Sequence, residues 1–341
     1  MLLTVHNPVA ELQPTSSSTI VQSDRYVFVV NEDNDTVTAV SKNAPYTKVW
    51  EAGVGGRPRT LAVAPNGTLW VVNQDSDNIS ILDPVNGREI KRLYLDRASQ
   101  AYGIVFTPDG SVALISLYST GELLKLDAIT GEEIARVSLG HSAKGIAISG
   151  KSDFALITRF ISPSNHAEVW VVDINEMDLI DIIVLAKDVT TVDGPDRSRG
   201  VPNYLGSPSI SPDGLSAWVP SNKANVDRGV FKESDEGRAL TFESTVRAIN
   251  SRIDLPSRTE DVASNLDIDN RAQPKAVLFS DLGDYIYVVL EGANSVEIRD
   301  AYNNERAGSL PDTGMAPRGI VKHGTAIFVH NFLSRSVSVF D

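Results

Sequence analysis

The chain has 341 residues and carries 31 Lys and Arg against 44 Asp and Glu, a formal net charge of −13, which argues against nucleic acid or an anionic membrane as the partner of its surface as a whole. Its apolar fraction of 42% with 22% charged residues is globular composition and excludes disorder. With no cysteine, the chain excludes disulfides, thiol catalysis, cysteine-ligated zinc, iron–sulfur clusters and covalent c-type haem within itself, and without a run of 18 apolar residues no membrane-spanning segment is expected.

The start, MLLTVHNPVAELQP, has neither a basic n-region nor a long apolar core and does not read as a signal peptide. From there one unit recurs. Residues 59–95 read RTLAVAPNGTLWVVNQDSDNISILDPVNGREIKRLYL, and residues 102–139 read YGIVFTPDGSVALISLYSTGELLKLDAITGEEIARVSL. Each copy holds four short runs rich in Val, Ile and Leu, bounded by Gly, Pro, Asn or Asp, which predicts four strands. Aligned on the first strand, the copies open at Ser17, Arg59, Tyr102, Lys144, Gly206, Lys275 and Arg318, with steps of 42, 43, 42, 62, 69 and 43 residues. The third strands end at Ser41, Asp83, Asp127, Asp173, Asp254, Asp300 and Asp341, a second series in the same register. Pro65-Asn66-Gly67, Pro108-Asp109-Gly110 and Pro212-Asp213-Gly214 join first to second strands. Proline presets φ there and glycine accepts positive φ.

Four-stranded units of about 40–45 residues are propeller blades. The expected fold is therefore all-β: one seven-bladed β-propeller of four-stranded antiparallel blades over residues 1–341. The two long steps place insertions near 187–204 and 223–248, both in loops of one face, with any helix confined to them. The last blade lacks its outermost strand. Residues 2–6, a short apolar run, are predicted to supply it and protect the edge. Val63, Ile104, Ile146, Ile210, Val277 and Ile320, or their strand neighbours, are the expected blade cores. Trp50, Trp70, Trp170 and Trp218 fall on or beside strands and read as packing residues.

WD-repeat and kelch signatures are missing, and Ser211-Pro212-Asp213-Gly214 lacks the residue that a sialidase Asp box places between Asp and Gly. What remains, (S/A/T)-P-(D/N)-G-x-x-x-x-V-x-N-x-x-x-(D/N)-x-(I/V)-x-(I/V)-x-D, resembles the YVTN-type repeat of bacterial and archaeal surface and periplasmic propellers over nearly the whole chain. LGSPSISPDGLSAWVPSNKANVDRG (205–229), TVRAINSRIDL (245–255) and FVHNFLSRSVSVFD (328–341) are similar to a subgroup of large bacterial proteins. In these a YVTN propeller precedes a c-type cytochrome domain related to di-haem peroxidases. This chain departs from that architecture in having no CxxCH, so no redox role carries over and no cofactor is expected within it. The resemblance implies a periplasmic or cell-surface location. It also implies a non-catalytic binding or docking module, one that scaffolds an electron-transfer domain absent from this chain. The alternative is a propeller enzyme of lactonase or lyase type acting on a small anion in the central pocket. A monomer is expected.

No chemistry-bearing motif stands out. Asn73-Gln74-Asp75-Ser76-Asp77 starts like a calcium loop, but Asn78 replaces the glycine at position six and Pro84 the glutamate at position twelve. Asn31, Asp33 and Asp35 repeat the pattern one blade earlier, which reads as a polar hairpin tip. His6, His141, His166, His323 and His330 have no zinc spacing. There is no G-x-S-x-G elbow, and neither a Ser–His–Asp triad nor a carboxylate pair is assignable, so the sequence points to no catalytic residue and no metal ligand. The ring of first-strand openings remains: four cations, a tyrosine, a serine and a glycine, without an acid. Arg59, Tyr102, Lys144, Lys275 and Arg318 are the candidate ligand-binding residues, converging on a channel mouth suited to a carboxylate, a phosphate or an acidic partner domain. The alternative is that this repeat position tolerates long side chains that reach solvent over an apolar wall.

Overall fold

The computed structural model describes residues 7–193, 198–227, 246–268 and 273–341. Seven antiparallel sheets form the seven blades of a β-propeller. Blade 1 runs Ile20–Gln22, Tyr26–Asn31, Thr36–Ser41 and Lys48–Gly53, and blade 2 runs Pro58–Val63, Leu69–Asn73, Asn78–Leu82 and Glu89–Tyr94. Blades 3, 4 and 6 repeat the order from inner strands Ala101–Phe106, Ala143–Ile148 and Pro274–Phe279. Blade 7 holds Pro317–His323, Ala326–Asn331 and Ser336–Phe340. The outer strand assigned by sequence to residues 2–6 lies outside the described residues.

The turn chemistry explains the repeat. Gly67, Gly110 and Gly214 have φ of 84°, 74° and 71°, the left-handed region that glycine enters without steric cost. The aspartate that closes the third strand in blades 2 to 6 is a turn former. Asp127 Oδ1 accepts the backbone N–H groups of Ile129 and Thr130 at 3.0 and 2.7 Å, and Asp173 and Asp300 do the same one turn on. Those bonds favour the ionised form and hold the Asp127 carboxyl below its usual range. At the opposite tips, Asp35 and Asp77 accept N–H groups of Arg57, Ala98 and Gln100 from the loop entering the next blade. The calcium-like pattern is thus a clasp between blades.

Between blades the core is apolar. Ile104, Ile146, Ile210, Val277 and Ile320 are buried as expected, whereas in blade 2 Leu61 takes that place and Val63 is half-buried. Trp70, Trp170 and Trp218 are buried, and Trp50 packs against Phe28 with ring centroids 5.7 Å apart.

Blade 5 departs from the pattern. Its inner strand is broken into Val201–Asn203 and Ser209–Ile210, and its second and third strands, Ser216–Ala224 and Val246–Asp254, each run nine residues. The base of the second insertion, read as loop, is therefore an extension of these two paired strands, in register from Ser216–Asp254 to Ala224–Val246. The first insertion lies beside it: Lys187 Nζ is 2.7 Å from Asp227, and Lys223 Nζ is 3.1 Å from Asp188. Among the described residues, the two short 3-10 turns, Val262–Ser264 and Glu291–Ala293, fall outside both insertions, contrary to expectation.

One feature has no counterpart in the repeat pattern. Asn7 donates to Asp213 at 2.9 Å, and Ala10 N donates to Pro212 O at 2.7 Å, both at the turn after the inner strand of blade 5. The chain then climbs the central channel. Thr15–Ser16 pairs antiparallel with the inner strand of blade 4, Thr15 opposite Ile148, and Ser17 N donates to Ile146 O at 2.9 Å. It turns over at Ser18, bridged to Leu61, and descends as the inner strand of blade 1. The register Ile20–Val29 against Leu61–Val71 makes Ser18, not Ser17, the equivalent of Arg59. The alignment slips by one because three serines precede Thr19 and the climbing segment supplies no strand boundary there.

The inner strands pack closely. A Cβ on Gly145 would lie 2.3 Å from Ser207 Cα and 2.8 Å from its N, whereas one on Gly53 meets nothing within 4 Å. Gly145→Ala is expected to cost about 1–3 kcal/mol or more, because rigid backbone must shift, and Gly53→Ala to be neutral. Thermal or denaturant unfolding of both variants checks this.

Candidate functional site

At the channel mouth lies a cavity of about 420 Å³. The five predicted residues, Arg59, Tyr102, Lys144, Lys275 and Arg318, all line it, together with Gly206 and Ser18 of the same ring. Arg59, Tyr102, Lys144, Lys275 and Arg318 sit second in their inner strands, Ser18 and Gly206 lie just ahead of Ile20–Gln22 and Ser209–Ile210, and the residue after each is small: Thr19, Thr60, Gly103, Gly145, Ser207, Ala276 and Gly319. That smallness lets the strands converge. Between blades 3 and 4, Ser116 Oγ accepts Gly103 N–H at 2.8 Å and donates to Lys144 O at 2.5 Å. Between blades 4 and 5, Thr158 Oγ1 accepts Gly145 N–H at 3.0 Å and donates to Gly206 O at 3.0 Å. These clasps hold the backbone on which the ring residues stand.

A second ring was not read from the sequence. In six blades the residue just after the second strand comes to the mouth: Glu32, Gln74, Tyr118, Phe160, Glu291 and Phe332. Two of these are acids, so the mouth is not acid-free. Glu32 lies 2.5 Å from Arg59 Nη1 and 3.0 Å from Arg318 Nη1. Glu291 lies 2.6 Å from Arg318 Nε and 3.1 Å from Lys275 Nζ. Arg59 Nε also donates to Gln74 Oε1 at 2.6 Å, and the Arg318 guanidinium lies 3.6 Å from the centre of the Phe332 ring. The result is a linked arc, Gln74–Arg59–Glu32–Arg318–Glu291–Lys275, around blades 2, 1, 7 and 6. A period-based reading misses it because the second-ring position alternates among acid, amide and aromatic and shows no consensus.

Lys144 stands outside the arc. It is 9% exposed, and among the described residues no carboxylate lies within 4.0 Å of its Nζ. The amine sits 3.8 Å from the centre of the Phe160 ring and 5.0 Å from that of Tyr102. Burial, then the charges of Lys275 and Arg59, push its pKa well below the ordinary lysine value, against the pull of Glu32. The ring faces favour the ammonium by about 0.5–2 kcal/mol. Removing a charge from water costs several kcal/mol, so desolvation and like charge prevail. Burial likewise raises the Tyr102 phenol to about 12, against the opposing charge of Arg59, so it stays protonated. Below the ring, burial and Arg318 lower His330 to about 3. It is neutral at pH 7, with Nδ1 2.9 Å from Thr19 Oγ1.

No family model matches this chain, and no curated protein matches it by sequence. Solved structures do match its fold. A chain of Kuenenia stuttgartiensis hydrazine synthase is 17% identical with a TM-score of 0.76, covering 100% of this chain and 99% of that one. Virginiamycin B lyase from Staphylococcus aureus is 14% identical with a TM-score of 0.63, covering 96% and 99%. The β-propeller domain of Myceliophteria thermophila Cps50 (Swd1) is 12% identical with a TM-score of 0.62, covering 96% and 99%. This chain is a seven-bladed β-propeller similar to the hydrazine synthase and virginiamycin B lyase propellers. At these identities the likeness is one of fold.

The state of Lys144 makes a stability prediction. Its folded pKa is depressed, so between the folded and unfolded values the unfolded chain binds the extra proton and stability rises with pH. Below the folded value the penalty is fully present. Lys144→Met is therefore expected to be more stable than the parent at neutral pH, with the gap narrowing as pH rises toward 10. Thermal unfolding of both proteins across pH 6–10 measures this, and a gap independent of pH contradicts it.

Proposed function

We infer that this chain is a binding module whose channel-mouth cavity takes a small anionic ligand. One observation carries the reading: three ring cations, Arg59, Lys275 and Arg318, converge on the cavity while two carboxylates, Glu32 and Glu291, face them. Arg57, at the rim, has its own carboxylate in Asp75 at 3.9 Å. The cavity thus keeps a positive excess although the chain as a whole is at −13. At an effective dielectric of about 20, a charge 4 Å away is worth roughly 4 kcal/mol, so an entering carboxylate or phosphate gains from that uncompensated positive charge. The aromatic wall of Tyr102, Tyr118 and Phe160 suits a compact ligand with an apolar flank beside its acid group.

The YVTN-like repeat supports a periplasmic or cell-surface setting, and the resemblance of three stretches to cytochrome-linked propellers supports docking beside an electron-transfer domain. Fractionation of cells that express the full-length native protein checks the location, where cytoplasmic retention overturns it.

Charge reversal of effect tests the site. Glu291→Gln removes a neutralising carboxylate and is expected to tighten binding of oxalate or phosphate, measured by titration calorimetry at low salt, by about tenfold. Lys275→Gln is expected to weaken it by a similar factor, since about 1.4 kcal/mol corresponds to a factor of ten. Equal effects of both changes, or no binding by any form, overturn the reading.

A further inference from the structure

We propose that Lys144 is a nucleophilic amine, and that the channel-mouth cavity selects small carboxylates bearing an aldehyde or ketone, held by an imine to its Nζ. This rests on the anion-binding reading and narrows it to a ligand class. The argument starts from position. Lys144 sits second in an inner strand whose backbone is fixed on both sides, its carbonyl held by Ser116 Oγ and the following N–H by Thr158 Oγ1. The side chain lies against the cavity wall between two ring faces. A lysine that serves as an ion-pair partner in this mouth is exemplified by Lys275, seated on Glu291 at 3.1 Å. Lys144 has no such seat among the described residues, and its environment is assembled from apolar faces and like charge. Those are the two devices that leave a lysine amine neutral and nucleophilic near pH 7. The groups that face it are Arg59 from blade 2, Tyr102 from blade 3, Lys275 from blade 6, Arg318 from blade 7 and Glu32 from blade 1. Their sum is positive. The depressed titration of Lys144 agrees with this geometry.

The chemistry balances with what the cavity and solvent provide. The Nζ lone pair attacks the carbonyl carbon as the C=O π pair moves to oxygen. One proton passes from nitrogen to that oxygen, giving a carbinolamine. A proton from water then lets the hydroxyl leave as water while the nitrogen lone pair closes the C=N bond. One amine, one carbonyl and one proton become one iminium and one water, with no change in oxidation state. The positive excess of the mouth holds the ligand's carboxylate, and the aromatic faces that flanked the amine flank the iminium.

The test uses the full chain, glyoxylate as the anionic aldehyde, propanal as its neutral counterpart, and borohydride to reduce the imine to a stable secondary amine. Peptide mass mapping locates the label. The expected result is glyoxylate labelling at Lys144 at least about tenfold faster at pH 7 than at exposed lysines such as Lys48. Its pH midpoint should lie well below theirs, excess oxalate should protect it, and propanal should label it slowly. Lys144→Arg should lose the label while its thermal unfolding shows a folded protein. Labelling that follows surface exposure, or an unlabelled Lys144 in a protein that binds oxalate, overturns the amine assignment and leaves the anion site standing. Lys144 labelled equally by both aldehydes, with no oxalate binding or protection, overturns the anion reading and its carboxylate selectivity while the amine stands.

Discussion

Seven inner strands meet around one axis, and everything at the mouth follows from how near their backbones come. The residue after each ring position is small because the neighbouring blade leaves no room for more. Gly103 faces Lys144 O and Gly145 faces Ser207, and the buried hydroxyls of Ser116 and Thr158 close the remaining gap with a hydrogen bond in each direction. A buried hydroxyl stripped of its partner would strand a donor and an acceptor at a cost of about 1–3 kcal/mol. The clasp therefore fixes the spacing of the blades and, with it, the position of every ring side chain.

That spacing turns local repeats into a collective electrostatic object. Arg318 and Glu32 are 286 residues apart in sequence and 3.0 Å apart in space. Of the ion pairs in the arc from Arg59 to Lys275, Lys275–Glu291 alone lies within one blade, and Arg59–Glu32, Glu32–Arg318 and Arg318–Glu291 each cross a blade boundary. Largely desolvated pairs of this kind add little net stability, yet losing one partner is costly. Their consequence here is a rigid half-circle in which three cations outnumber two carboxylates, and which leaves the opposite wall to Lys144 and the aromatic rings.

Much of this was legible in the chain. The 42-residue period, the Asx–Gly turns and the aspartates ending third strands are local signals, and they carry the blade count, the turn types and the ring position. The failures share one cause: they depend on non-local closure. The place of Ser18 in the ring is hidden in the sequence because nothing in a run of three serines marks where a climbing segment becomes a descending strand. Glu32 and Glu291 stayed invisible because the position they occupy holds Gln, Tyr or Phe in other blades, and its proximity to the ring exists after closure alone. The isolation of Lys144 is of the same kind, since it is defined by what does not stand across from it.

The segment from Asn7 to Ser18 runs up one side of the channel, with Thr15–Ser16 on the inner strand of blade 4 and Ser18 bridged to Leu61, and beside it a second cavity of about 640 Å³ lies against the inner strands of blades 6 and 7. Ser17, Ser18, Ser207 and Ala276 line both this cavity and the one at the mouth, so these four residues form a partition between two chambers. A change of side-chain volume at Ala276 would therefore resize both chambers at once.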